Sequence, residues 1–234
     1  MTRASGVSAI VLHTRPYRET SLLVNLLTAD YGRIAGVANG VRKGTRGHCF
    51  HPFFHLSVGF SGRSGLVTLT SFEALATRWL RGDSVAAAFY VCELITRLTR
   101  EREPMPRLFD VTQWTLDQLL ADHDIVPGLR VFERVLLEEL GYGLDFDRDA
   151  QGLPLKPDLI YRFVPDVGFM VVETENHEEA VPGNTLLDIG ANQYTRAATR
   201  RAALSVFRLA IKAHLGDAPL ISRQMLHTAS GQID

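Results

Sequence analysis

Five short apolar runs, each closed by a turn, fill residues 6–72 and narrow what this chain can fold into. Residues 6–14 and 21–28 are rich in Ile, Val, Leu and Thr, the side chains that fit a pleated surface. Arg15-Pro16-Tyr17 separates them, and Pro16 disfavours one strand continuing across that point. Asp30-Tyr31-Gly32 marks a turn. Residues 33–41 form a third run, in which Gly36 and Gly40 predict a bulge or tight bend. Residues 55–61 alternate, with Leu56, Val58 and Phe60 on one face and His55, Ser57, Gly59 and Ser61 on the other. Gly62-Arg63-Ser64-Gly65 is a hairpin turn signal, and residues 66–72 return as a fifth strand. Such a set of short strands predicts a small, partly open β-barrel of the OB type.

From Ser84 the period becomes helical. Residues 84–102 carry Ala87, Val91, Leu94, Ile95 and Leu98 at helical spacing until Pro104 and Pro106 intervene. Residues 107–121 predict a second helix and 128–140 a third, with Leu129, Phe132, Leu136 and Leu140 on one stripe and Gly141 as its C-terminal cap. Residues 142–190 are rich in proline and glycine. Within them, Tyr161–Val164 and Phe169–Val172 read as a hairpin. A long helix is expected over 194–215, ending at Gly216, and a short last one over 220–226. The predicted class is α+β with two domains. An OB-type barrel spans 1–81, and a helical domain spans 82–234 with an irregular β-hairpin insertion at about 142–190.

Charge divides along the same line. Residues 1–81 hold ten Lys/Arg and three acids (Glu19, Asp30, Glu73), whereas 82–150 hold seven basic and fourteen acidic residues. A formal net charge of −1 therefore hides a cationic β domain, which suits a polyanion. No apolar run approaches the roughly 20 residues of a membrane span, and no signal peptide is expected at the N-terminus. Cys49 and Cys92 are too few for a disulfide framework, so a reducing cytoplasm is the expectation.

Several patterns imitate chemistry and fail on mechanism. Asp145, Asp147 and Asp149 resemble the start of a calcium loop, but Ala150 stands where the turn glycine belongs and Lys156 where the bidentate glutamate belongs. His48, Cys49, His51 and His55 lie on an extended segment that points neighbours in alternating directions, whereas zinc needs converging ligands. Gly59, Gly62 and Gly65 fall on a hairpin, not between a strand and a helix as a phosphate loop requires. No motif for catalysis is present, and no cofactor is expected.

The basic loop Arg42-Lys43-Gly44-Thr45-Arg46-Gly47-His48 suits phosphates, and Phe50, Phe53 and Phe54 follow it as rings for either base stacking or the barrel core. On a wheel of the 194–215 helix, Arg196, Arg200, Arg201, Arg208 and Lys212 share one arc with Leu204, Ile211 and Leu215. Ala198, Ala202, Val206, Leu209 and Ala213 lie opposite and predict the packed seam. Apolar positions rimmed by cations suit an acidic peptide with a hydrophobic end.

The chain resembles the RecO family of bacterial recombination mediators. The match begins at Ala9-Ile10-Val11-Leu12-His13-Thr14-Arg15-Pro16-Tyr17-Arg18-Glu19-Thr20-Ser21 and continues through Tyr31-Gly32-Arg33, Gly40-Val41-Arg42, Pro52-Phe53 and Gly62-Arg63-Ser64-Gly65. It resumes at Phe132-Glu133, Leu136–Tyr142 and His214-Leu215-Gly216, and closes on Pro219-Leu220-Ile221-Ser222-Arg223. The resemblance implies an OB fold, a helical domain and no enzymatic activity. It implies binding of single- and double-stranded DNA, strand annealing, contact with the acidic C-terminal tail of single-stranded-DNA-binding protein, and loading of RecA together with RecR at the nucleoid. Some members carry a four-cysteine zinc module after the third helix. Residues 142–193 here contain no cysteine, so no metal is expected.

The expected DNA contacts are Arg15, Arg18, Arg33, Arg42, Lys43, Arg46 and Arg63. The expected partner contacts are Arg130, Phe132, Arg200, Arg201, Leu204 and Arg208. The alternative is a protein-interaction adaptor whose barrel binds a partner chain and touches DNA weakly.

Overall fold

The computed structural model describes residues 2–43, 45–63, 65–121, 124–173, 179–216 and 219–222. These fall into two compact units, Met1–His123 with the segment from Leu220, and Asp124–Pro219.

The first unit is built on five strands: β1 (Thr2–Tyr17), β2 (Ser21–Thr28), β3 (Gly32–Ala38), β4 (His55–Gly62) and β5 (Val67–Ala76). They close into a barrel in the order β1-β2-β3-β5-β4. All neighbours are antiparallel except β3 and β5, whose short parallel pairing, Gly36↔Val67 and Val37↔Thr68, completes the circle. Val11, Val24, Leu26, Ile34, Leu56, Val58, Phe60 and Leu69 fill the interior, each from the inward phase of its strand.

Two local expectations differ from what is observed. The first strand runs through Pro16, which pairs with Leu22. β4 pairs with β1 only over Thr2–Ile10, so beyond that point β1 has a side where a missing N–H removes no ladder bond. Gly36 makes no bulge, because the β2–β3 register is unbroken. It is small because Leu69 Cδ2 lies 3.1 Å from where a Cβ would sit. Gly40, at φ 70°, does make the turn after β3. A 3-10 turn over Thr45–Phe50 leads into β4.

Helices α1 (Asp83–Leu98) and α2 (Pro106–Leu120) follow the barrel. Arg78, 2% exposed, is fixed by Asp117 at 2.7 Å and by the Phe53 carbonyl at 3.1 Å. Arg33 on β3 donates to the Thr99 carbonyl at 3.1 Å and pairs with Glu101 at 3.6 Å.

The second unit holds α3 (Ile125–Glu139), a small sheet of β6 (Ile160–Val164), β7 (Gly168–Val171) and β8 (Ala180–Pro182), then α4 (Gly183–Gly190) and α5 (Ala197–Leu215). Leu140 caps α3 and Gly141 follows at φ 83°, the left-handed position after a helix end. Asp124 caps its start by accepting from the Val126 N–H. The Asp145 and Asp149 carboxylates accept backbone N–H groups two to four residues on, which makes them turn-forming. The short helix expected over 220–226 begins at Ile221 and Ser222, and its remainder lies outside the described residues. No helix among the described residues is long and apolar enough to cross a membrane.

Candidate nucleic-acid interface

The pleat sorts the barrel's residues into two sets. Val24, Leu26, Ile34 and Ala38 point inward, so Leu23, Asn25, Ala35 and Val37 point outward. The register aligns His13 with Asn25 and Ala35, and Arg15 with Leu23 and Val37. Thr68 extends the row onto β5. The face thus carries His13, Arg15 and Asn25 over a shallow apolar floor. The Asn25 amide oxygen is buried there without a hydrogen-bond partner.

Cations gather at one rim. Arg18 sits in the β1–β2 turn at φ 51°, its guanidinium 5.2 Å from the Tyr17 ring centroid. Arg42 reaches that turn, donating from Nη1 to the carbonyls of Arg18 at 3.1 Å and Glu19 at 3.3 Å, while its backbone N–H donates to the Thr20 carbonyl. Lys43 follows it, exposed. The β1–β2 turn and the loop after β3 are therefore tied together as one cationic edge beside Arg15. Arg63, exposed in the β4–β5 turn, stands at the other side of the face, because β5 begins beside Gly36 of β3. Arg102 joins that turn through the Gly65 carbonyl at 3.0 Å. Ser64 lies outside the described residues. Turns on both sides of the second and third strands are where OB barrels hold oligonucleotides.

Two of the seven expected contacts have other duties. Arg33 is largely spent on Thr99 and Glu101, its side chain only 12% exposed. Arg46 is exposed and lies over the Phe72 ring at 5.5 Å, away from the Arg18–Arg42 edge in its contacts. Phe50, Phe53 and Phe54 are all core, so none offers a stacking face. The most exposed aromatic among the described residues is Trp79, which sequence reasoning missed. Its signal is its position between cations Arg78 and Arg81, outside any apolar run.

The histidines near the 3-10 turn diverge. His51 packs on Trp79, while His55 Nε2 lies 2.6 Å from Ser8 Oγ and 3.4 Å from Gln113 Nε2. Burial, then the Arg78 charge, holds the His55 pKa below its usual value, against the opposing pull of Asp117. Burial pushes the Cys92 thiol up to about 12, so it is no thiolate ligand. Among the described residues no group of three or more His, Cys, Asp or Glu could hold a metal ion.

The expected partner residues divide in the same way. Phe132 is fully buried and offers a partner no surface. Arg130 is 5% exposed, with Nη2 at 3.1 Å from Glu133 and its guanidinium 5.9 Å from the Phe207 ring. Its Nε and Nη1 have no hydrogen-bond partner, nor does the nearby Tyr194 hydroxyl. Burial raises that hydroxyl to about 12, Arg130 and Arg134 opposing the shift and Glu133 adding to it.

Arg200 is bound to the Tyr194 carbonyl at 2.6 Å and to Asp124. Arg201 and Arg208 are exposed on α5, with Leu204 half-buried between them. The packed seam of α5 is Thr199, Ala203, Val206, Phe207, Ala210 and Ile211. It is rotated from the expected alanine face: Ala198 and Ala213 face solvent, and Ile211, expected among the cations, is buried. The larger Phe207 and Ile211 side chains fix the inward direction.

Comparison with known proteins gives a consistent match over nearly the whole chain. Residues 1–78 match the family model described as Recombination protein O N terminal, and residues 81–224 match Recombination protein O C terminal. A protein named DNA repair protein RecO from Halorhodospira halophila is 38% identical over 232 residues, covering 97% of this chain and 99% of its own. Its namesake from Cellvibrio japonicus is 40% identical over 227 residues, covering 95% and 96%. One from Burkholderia pseudomallei is 38% identical over 230 residues, covering 96% and 83%.

Proposed function

The chain belongs to the RecO family of DNA repair and recombination proteins, with a DNA-binding OB-fold domain at its N-terminus, and we propose that it is a non-enzymatic mediator that binds and anneals single-stranded DNA. The barrel forms the DNA-binding domain over residues 1–81, and the helical domain over 82–234 receives the protein partners. Those partners are RecR and the acidic tail of single-stranded-DNA-binding protein, with RecA loading as the outcome, in the cytoplasm at the nucleoid.

The observation that carries the reading is the gathering of Arg15, Arg18, Arg42 and Lys43 beside the outer face of β2 and β3, with Arg63 across it. Cations there neutralise two strands, reduce their mutual repulsion and raise their local concentration, so the mechanism is physical and no bond is made or broken. Duplex DNA meets the same phosphate-binding groups and offers them fewer accessible bases. On α5, Arg201 and Arg208 attract an acidic tail and Leu204 meets its hydrophobic end. Arg200 lends its charge from the side, and Arg130, 5% exposed, adds positive potential from beneath without touching the tail.

The test reverses Arg42, Lys43 and Arg46 to Glu. Affinity is expected to fall about equally for all DNA sequences, because phosphate contacts carry no sequence information. The slope of log affinity against log salt flattens by ~0.7 for each single-strand phosphate that the variant no longer neutralises. An unchanged slope in a variant with native circular dichroism removes this loop from the interface.

A further inference from the structure

Trp79 lies on the segment between β5 and α1 and is 58% exposed, yet it is held in place. The Phe54 ring meets it edge-on, with centroids 5.0 Å apart and planes at 89°. The His51 ring leans on it at 4.6 Å and 52°. His51 is itself exposed, with Nδ1 3.1 Å from the Pro52 carbonyl. Below, the neighbouring Arg78 is pinned by Asp117 and the Phe53 carbonyl. An indole exposed over half its area and buttressed on two sides is preorganised: a flat ligand meets it without ordering a mobile side chain.

Its surroundings choose the ligand. The loop that supplies His51 also supplies Arg42, Lys43, Arg46 and His48, and Arg81 is exposed two residues beyond Trp79. From Tyr31 to Phe72 the chain contains no Asp or Glu, so β3, β4 and the loop between them bring no anion, and Asp117 nearby is engaged by Arg78. A planar, rigid, electron-rich ring packed on His51, from a loop that is cation-rich in sequence, matches a nucleobase with its phosphate. A duplex hides its base faces within the stack, so only an unpaired base can use the ring.

We propose that Trp79, backed by His51, is a stacking platform for an unpaired base. It would extend the DNA path beyond the outer face of β2 and β3, past Arg46, and give the barrel a preference for single strands. The proposal rests on the reading of the barrel as a nucleic-acid binder and adds to it a site outside that face.

The chain has two tryptophans, so Trp114→Phe leaves Trp79 as the sole indole reporter. With that variant of the full chain, titration with an oligothymidine strand is expected to quench the fluorescence saturably, while a duplex of equal length quenches it little. Trp79→Ala should weaken the single strand about tenfold and the duplex less than twofold. Trp79→Phe, which keeps a π face, should recover most of the loss and guards against a folding effect in the alanine variant. If the strand binds without quenching, or if Trp79→Ala weakens strand and duplex alike, the platform is overturned while the DNA-binding reading stands. If the parent protein binds neither ligand, the DNA-binding reading itself fails and the platform with it.

Discussion

Arginines of one charge hold different jobs in this barrel, and only their partners tell them apart. Arg15, Arg18 and Arg63 end in solvent, whereas Arg33 ends on a carbonyl and a carboxylate of the segment joining α1 to α2. Its Nε is buried without a partner, so the side chain is not spare binding capacity. Arg33→Ala is expected to lower stability by ~1–2 kcal/mol, the scale of a charged hydrogen bond that is partly exposed. The salt slope of DNA binding should stay as in the parent. Urea denaturation paired with the salt titration checks this, and a flattened slope at unchanged stability would return Arg33 to the DNA-binding set. Arg130 is a second case, a cation expected at a surface and found beneath one. In both, the deciding interaction is tertiary: Arg33 reaches across 66 residues to Thr99, which no local pattern reveals.

At the scale of elements, the legible parts are those with at least one full period. β4 alternates over residues 55–61, β2 is a short apolar run closed by turns, and α1, α2, α3 and α5 each run four turns or more. The 3-10 turn over Thr45–Phe50, β8 and α4 fall short of the roughly 11-residue window in which a period stands out, and α4 opens on Pro182-Gly183, a turn signal in isolation.

A further element-scale feature could not be read from sequence at all. Glu93 on α1 accepts from the N–H groups of Ile221 at 3.0 Å and Ser222 at 2.8 Å and from Ser222 Oγ at 2.5 Å. Burial alone would raise the Glu93 pKa, but these bonds and the Arg97 charge outweigh it, so the value falls below the ordinary 4.5. A depressed carboxylate stabilises the fold above its unfolded value and loses that contribution as pH falls through its folded value. The segment at Leu220–Ser222 should therefore loosen from α1 only in acid below about pH 4.5, the ordinary value. Glu93→Gln should loosen it at neutral pH and abolish the acid dependence. Limited proteolysis across a pH series reads both, and identical cleavage of parent and variant at pH 7 would show that the carboxylate does not hold the segment.

At the scale of the molecule, a net charge of −1 describes neither part of the chain. The barrel's excess of cations and the acidic composition of residues 82–150 nearly cancel in the sum. Bulk properties such as the isoelectric point therefore say nothing about DNA affinity, which local fields determine. The two proposed surfaces also belong to separate compact units, the cationic rim to the first and the Arg201–Arg208 stripe of α5 to the second. Independent sites have additive free energies, whereas a shared site shows coupling. Reversal of Arg42 and Lys43 should thus weaken DNA while leaving an acidic tail peptide bound as before. Reversal of Arg201 and Arg208 should do the opposite, and a peptide lacking its terminal hydrophobic residue should bind poorly to every variant, since an exposed ion pair contributes only ~0–1 kcal/mol. In the four-residue variant each loss should match its separate value within about 0.5 kcal/mol. Fluorescence anisotropy with labelled strand and labelled peptide measures both arms. Coupling well above that margin would mean that DNA and tail compete for one composite surface, and annealing of protein-coated strands would then require release of the tail before the strands are engaged.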